Sequence, residues 1–308
     1  MLDCMTCTKV SFPYKMTYLI TTYNKCIFLC EVLTRLIGQI QSDEEIIVID
    51  GGSTDGTVEY LKQLYTDGHI HQFISERDKG EANGFNKGFL MARGELIKVI
   101  TDDDAFYWTG IQACKKFMLT HPEVDLLATD GAGTEWRNKD PFIYMSYVDS
   151  VMEWQNKSLP FAFCGLGLLI RRSSLPLLGL FHIGFIRVDA EYSMRVTAGP
   201  ANIAWYDNPL WVRITNQDSN SVKYFKQASR ETELLDRIYL HKTSLLPKII
   251  RHSKNILRPI KKLIIRTTTN KCPFEDWPAT FRLCDSWLQD ENKKKEGRFL
   301  YKDKIKCT

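Results

Sequence analysis

Glu95-Leu-Ile-Lys-Val-Ile-Thr101, running straight into Asp102-Asp-Asp104, is the stretch on which the fold turns. Its aliphatic and β-branched residues read as a buried strand. Three adjacent carboxylates then close it. An earlier run, Glu45-Ile-Ile-Val-Ile49, ends in a similar way on Asp50-Gly-Gly-Ser-Thr-Asp-Gly56. Carboxylates at a strand's C-terminal end point into the crevice where open α/β sheets bind ligands. Packed like charges repel unless a cation neutralises them, and three acids closing a buried strand are costly to desolvate without one. A Mg2+ or Mn2+ ion held by one or two carboxylates and by substrate phosphates would serve. The two runs together predict a nucleoside-diphosphate site with a divalent metal.

Outward from these runs, strand and helix patterns alternate. Strands are expected at Thr17–Thr22, Glu45–Asp50, Ile70–Ser75, Glu95–Thr101 and Val124–Thr129. Helices are expected at Phe28–Ile40, with Leu29, Val32, Leu33, Leu36 and Ile40 apolar, and at Thr57–Leu64, Glu81–Ala92 and Thr109–Leu119. This order predicts βαβ units and an α/β fold with a Rossmann-like, mostly parallel central sheet flanked by helices. Gly131 to Gly184 is irregular and aromatic-rich. Val188–Val196 reads as a short helix, and Val222–Arg266 as helical, broken at Pro247 and Pro259. The last forty residues resist assignment.

Composition is that of a globular chain of 308 residues, 44% apolar and 25% charged. The formal charge of +4 is unevenly spread. Ten basic residues and no acid lie between Asp236 and Glu275, and without those ten the charge would be −6. Within residues 245–266, Leu246, Ile249, Ile256, Ile260, Leu263 and Ile264 interleave with Lys248, Arg251, Lys254, Arg258, Lys261, Lys262 and Arg266. That pattern predicts an amphipathic helix on an anionic membrane surface. The competing reading is a helix packed on the domain with a solvated basic face. Nucleic acid is not expected, because the cations interleave with aliphatics rather than aromatics.

No basic region followed by an apolar core opens the chain, and the nine cysteines are an odd count. A cytoplasmic protein with free thiols is the expectation, peripheral on the cytoplasmic membrane face if the basic helix binds there. Cys4-Met-Thr-Cys7 lacks partners for zinc. No run is long and charge-poor enough to span a bilayer.

Four elements carry candidate chemistry. Asp50 is placed to accept from a base N–H or a ribose hydroxyl, with Gly51 and Gly52 allowing close backbone approach. Ser53 or Asp55 would cap the next helix. In Glu76-Arg-Asp-Lys-Gly80, Lys79 would meet a phosphate and Asp78 a ribose or base at a helix N-terminus. Asn86 and Lys87 follow about one turn inside that helix. The competing reading is a solvated polar turn. In the aspartate run, strand neighbours alternate in direction, so the three carboxylates cannot all face one ion. Asp103 is the first choice for metal ligand, and Asp102 or Asp104 contacts ribose or a metal-bound water. We assign Asp103 and Asp104 to the metal and Asp102 to the nucleotide. In Val188-Asp-Ala-Glu-Tyr-Ser-Met-Arg195, Glu191 and Arg195 form an i,i+4 pair. Asp189 is either a general base or a helix cap.

In order, these elements resemble the large family 2 of glycosyltransferases with the GT-A fold. The matching stretches are Ile20-Thr-Thr-Tyr-Asn24, Ile47 to Thr57, Ser75 to Gly80 with Asn86-Lys-Gly88, and Gly94 to Asp104. Ile170-Arg-Arg-Ser, Leu178-Gly-Leu-Phe181 and Asp189-x-Glu191 with Arg195 resemble the acceptor half. The resemblance implies an inverting transfer from a nucleoside-diphosphate sugar, UDP first, to a hydroxyl acceptor such as a lipid-linked sugar or glycan, in polysaccharide or glycolipid assembly. It implies Mn2+ or Mg2+ at Asp103, a base-binding Asp50 and a catalytic base at Asp189, with Glu191 as the second candidate. It adds the turn Thr22, Tyr23 and Asn24 to the nucleotide residues. Thr101, Val188 and Asn83 depart from the family's acidic pattern.

The expected domains are an N-terminal extension (1–15), a catalytic domain (16–225, nucleotide half 16–105 and acceptor half 106–225) and a helical basic C-terminal extension (226–308). A sugar-phosphate nucleotidyltransferase is the nearest alternative, but Thr21-Thr-Tyr-Asn-Lys25 lacks that group's glycines. A non-catalytic membrane-surface protein of the same fold is the other. No GxGxxG follows the first strand, which excludes a dinucleotide-dependent dehydrogenase.

Overall fold

The computed structural model describes residues 11–135, 142–215, 219–240 and 277–301. The basic segment 245–266 lies outside them. The nucleotide half is regular: β1 (Tyr14–Thr22), α1 (Cys26–Ile37), β2 (Glu44–Asp50), α2 (Thr57–Thr66), β3 (Gln72–Ser75), α3 (Glu81–Met91) and β4 (Gly94–Thr101). β1 pairs in parallel with β2 and β4, and β2 with β3.

The second half continues with β5 (Ala105–Phe106), α4 (Trp108–Thr120), β6 (Leu126–Glu135), β7 (Ile143–Met145), α5 (Val148–Lys157), β8 (Leu169–Arg171), α6 (Leu175–Leu178) and α7 (Val188–Ala198). Then come β9 (Ile203–Thr215), α8 (Asn220–Lys223), α9 (Phe225–Leu240), α10 (Trp277–Lys294) and β10 (Phe299–Leu300). The sheet runs β10-β9-β6-β8-β4-β1-β2-β3, with β5 on β9 and β7 on β6.

Strand side chains alternate between two cores, as a period of two requires. Met16, Tyr18 and Ile20 of β1 join α1, α4 and α10 on one face. Leu19, Ile47, Ile49 and Ile97 join α3, α5 and α7 on the other. The result is three layers. The acidic loops of the nucleotide half leave the sheet at the C-terminal ends of β2, β3 and β4, beside the loop that follows β1. No described helix is long and apolar enough to cross a membrane.

Of the elements the sequence does not predict, three shape the core. β9 is thirteen residues long although it contains Asp207-Asn-Pro209, a turn signal. The strand absorbs it through register shifts against β6 at Thr129/Asp130 and Asp130/Ala132. Asp207, fully buried, accepts from the Arg298 amide at 2.7 Å and its guanidinium at 2.9 Å. α5 forms inside the supposedly irregular middle by burying Val151 and Trp154. α10 starts at Trp277-Pro278, where proline is tolerated because a first-turn N–H has no helical partner. It buries Trp277, Phe281, Cys284 and Leu288. Part of the expected C-terminal extension thus belongs to the main core and sheet.

Candidate active site

Hydrogen bonds stitch the loops after β1 and β2 together. Asn24 takes φ 51°. Its N–H donates to Ser53 Oγ at 2.7 Å, and its Oδ1 accepts from the Thr54 amide at 2.8 Å. Asp55, expected as a helix cap, accepts from Thr57 but also from the Cys26 amide at 2.9 Å. Asp50 is fully buried and saturated. Its oxygens accept from the amides of Gly52 and Ser53 at 3.1 and 3.0 Å, from Ser75 Oγ at 2.6 Å and from Ser53 Oγ. It therefore organises the turn that lines the crevice. Gly52, at φ 85°, makes that turn possible.

The β3–α3 loop lies against this turn. A side chain at Gly51 would meet the Asp78 carboxylate, whose Oδ2 is 3.1 Å from the ideal Cβ position. Asp78 Oδ1 accepts from the Gly80 amide at 2.9 Å, and Lys79 is solvent-exposed at the helix N-terminus. Asn86 points elsewhere. Its amide exchanges two 2.8 Å hydrogen bonds with the Phe181 backbone and so ties α3 to the acceptor half. Lys87 pairs with Glu76 at 2.9 Å. Tyr23 is exposed, and the buried Thr22 hydroxyl faces Asp102.

The aspartates diverge. Asp102 Oδ1 and Asp103 Oδ2 converge on Lys25 Nζ, at 3.2 and 2.6 Å. Asp104 has both oxygens engaged elsewhere, accepting from Thr101 Oγ1 and from the Ile214 amide of β9, each at 2.7 Å. The sequence assignment of Asp104 to the metal thus meets a carboxylate that braces β4 against β9. The neighbouring pair can face one cation because it lies in a loop, outside the strand pleat. Burial, together with the Asp103 charge, raises the Asp102 carboxyl to about 6, and Lys25 limits the rise. Burial and Asp103 push Asp104 up to about 8 against the hydrogen bonds from Thr101 and Ile214. Burial works to lower the Lys25 ammonium, and the two carboxylates outweigh it and raise it.

Sequence reasoning alone gives Lys25 no role in the site. The signal that exposes it is the charge imbalance: three acids end β4, and the adjoining β1 loop carries this ammonium.

From the other half, α7 delivers Asp189, half-exposed, with Oδ1 accepting from the Ala190 amide at 2.8 Å and Oδ2 from the Gly165 amide at 3.4 Å. Glu191 is buried and bound through both oxygens by Arg195, at 2.8 and 3.2 Å. Arg195 also donates to the carbonyls of Leu178 and Leu180. The expected i,i+4 pair is therefore present, and of the two acids Asp189 is the accessible one. Among the described residues no group of three or more His, Cys, Asp or Glu side chains gathers as a metal cage.

The model of glycosyl transferase family 2 matches residues 17–175. An uncharacterized glycosyltransferase, alr2836 of Nostoc sp. strain PCC 7120, is 30% identical over 93 residues, which is 30% of this chain and 29% of that protein. The chain spans less than a third of the length of the first curated relatives it matches. Among solved structures, S. aureus TarS 1-349 in complex with UDP-GlcNAc superposes with a TM-score of 0.54 at 16% identity, covering 72% of this chain and 66% of that one. Mannosyltransferase PcManGT from Pyrobaculum calidifontis, in complex with GDP-Man and Mn2+, gives 0.54 at 16% identity over 92% and 88% of the two chains.

Proposed function

The chain belongs to glycosyl transferase family 2 and has the GT-A fold, and from that premise we propose that it transfers a sugar, with inversion, from a nucleoside-diphosphate sugar to a hydroxyl acceptor in polysaccharide or glycolipid assembly. The observation that carries this reading is the convergence of Asp102 and Asp103 on a single positive charge at the carboxyl edge of the sheet. Two carboxylates with room for diphosphate oxygens are the donor set that Mg2+ or Mn2+ accepts in nucleotide sites. The residues fit the ion: Asp103 would hold it, with Asp102 beside it. When bound, such an ion neutralises charge growing on the departing diphosphate.

The chain's own residues do the remainder. Asp50 holds the turn on which the base rests, and Asp78, pressed against Gly51, accepts from the nucleoside. Lys79, at the start of α3, faces the phosphates. Asp189 takes the proton from the acceptor hydroxyl as it attacks the anomeric carbon through an oxocarbenium-like state. Glu191, bound to Arg195, keeps α7 and its Asp189 in place.

UDP is the first choice of nucleotide, and the two fold neighbours, bound to UDP-GlcNAc and to GDP-Man, frame the test. A thermal-shift panel of UDP-, GDP- and dTDP-sugars, with and without Mn2+, should single out one nucleotide, and only with the metal. The anomeric configuration of the product, read by NMR, checks inversion. Stabilisation by sugar phosphates and nucleoside triphosphates instead would favour a nucleotidyltransferase. The segment 245–266 is proposed to hold a cytoplasmic enzyme at an anionic membrane. Co-sedimentation with anionic liposomes, unchanged after Arg251, Arg258, Lys261 and Lys262 are replaced by Glu, would exclude it.

A further inference from the structure

Lys25 stands where the divalent ion of the proposed reaction would stand. Its Nζ lies 2.6 Å from Asp103 Oδ2 and 3.2 Å from Asp102 Oδ1, and all three side chains are largely withdrawn from water. The ammonium is thus the resident counter-ion of a buried acidic pair.

Its backbone is fixed. The Lys25 carbonyl accepts from the amides of Phe28 and Leu29, at 3.1 and 2.9 Å, as the first turn of α1. On either side, Asn24 is bound to Ser53 and Cys26 to Asp55. What remains free to rearrange is the four-carbon stem, which carries a compact, rotatable charge. The side chain is about one-fifth exposed, so it is open to solvent.

We infer that Lys25 is an exchangeable cation, which holds Asp102 and Asp103 when no donor is bound and yields them to a divalent ion only when a diphosphate arrives to take the ammonium. The inference rests on the proposed metal role of Asp103. The electrostatics give it direction. A bare divalent ion entering the pair meets carboxylates already neutralised and a like charge beside them. A nucleoside diphosphate brings the negative charge that offers Lys25 a new partner, so metal and nucleotide bind as a coupled pair. Without Lys25, the two carboxylates would repel each other and attract the metal by itself.

The test titrates MnCl2 into the full chain with and without UDP, following free Mn2+ by electron paramagnetic resonance. Wild type should bind Mn2+ weakly alone and at least tenfold more tightly with UDP. Lys25→Met should bind Mn2+ alone at least tenfold more tightly than wild type, with a reduced gain from UDP. Lys25→Arg, which keeps the charge, should resemble wild type. A folded Lys25→Met whose nucleotide-free Mn2+ affinity is unchanged or weaker overturns the exchange. Tight Mn2+ binding by wild type without UDP overturns it as well, even if the variant fails to fold. Asp103→Asn separates the two readings. Loss of UDP-coupled Mn2+ binding there, with no effect of Lys25→Met, leaves the metal role standing and removes only the exchange. Wild type that binds no Mn2+ even with UDP removes both.

Discussion

The sheet is mixed, with β8 antiparallel to β4 and β6, and the two edges of its parallel part, β3-β2-β1-β4, treat buried acid in opposite ways. At the amino edge, the two fully buried carboxylates, Glu44 and Glu45, meet different cations. Glu45 is fully buried, accepts from Thr17 Oγ1 at 2.6 Å and pairs with Arg93 at 2.8 Å. Glu44 is equally buried and meets Lys115 at 2.8 Å, while Arg171 pairs with Glu95 at 3.0 Å. At the carboxyl edge, Asp102, Asp103 and Asp104 crowd together, and Lys25 is the ammonium that meets two of them. The first arrangement is closed and serves stability. In the proposed reading the second keeps charge in reserve for a ligand, at the edge where open α/β sheets bind their substrates.

The comparison breaks most decisively at Asp103. Asp103→Asn should abolish transfer and erase nucleotide-coupled metal binding, while the melting temperature holds or rises because the charge that raises both neighbouring carboxyls is gone. A variant that keeps full activity would mean the carboxyl edge is only another structural ion cluster. Next comes Asp189→Asn, which should lower the transfer rate by about 10²–10⁴-fold while donor binding, read by thermal shift, is kept. Glu191→Gln should instead lower stability and spare more of the rate. The reverse ranking in initial rates would move the proton acceptor to Glu191.

The amino edge should answer in the other observable. Glu45→Gln should cost about 2–3 kcal/mol in chemical denaturation, below the range for a fully buried pair because Arg93 is partly solvated. Its donor affinity should match wild type, and a shifted affinity would show that the edges are not independent.

The smallest effect concerns Lys98, whose position tests whether β4 tolerates a cation without a carboxylate. It is buried, and its ammonium donates to the carbonyls of Val99, Leu166 and Leu168. Burial pushes it down to about 7. A base with a lowered folded value binds fewer protons folded than unfolded between about 7 and its ordinary value. Its penalty is therefore full below pH 7 and relaxes as pH rises, so this group makes the protein gain stability from pH 7 toward 10. Lys98→Met should flatten that rise in melting temperature, and an unchanged slope would assign it to other groups.

What the sequence discloses divides along the same lines. The strands of the nucleotide half are legible because each βαβ unit carries its own period and turn. The placement of Asp50, Asp78 and Asp103 at the carboxyl edge is legible because they end or closely follow such strands. β9 is not, since Asp207-Asn-Pro209 looks like a turn until Arg298, ninety-one residues on, binds Asp207. The bracing role of Asp104 depends on Ile214, 110 residues away. The clamp of Asn86 on Phe181 joins residues 95 apart, so a pattern read in windows places Asn86 at the nucleotide instead. Local rules find the groups, and partners distant in the chain decide what they do.

The docking of the last described residues has a consequence for how the molecule is made. Phe299 and Leu300 form the outer strand beside β9, α10 fills the core under α1, and Arg35 binds Asp285 across 250 residues at 3.0 Å. During synthesis the edge of β9 and the apolar seat of Trp277 stay open until residues 277–300 leave the ribosome. Such distant closure slows folding and prolongs the exposure of a sticky, unpaired strand. A nascent chain cut off at residue 240 would carry all the acids of the crevice and still lack the pieces that seal the sheet.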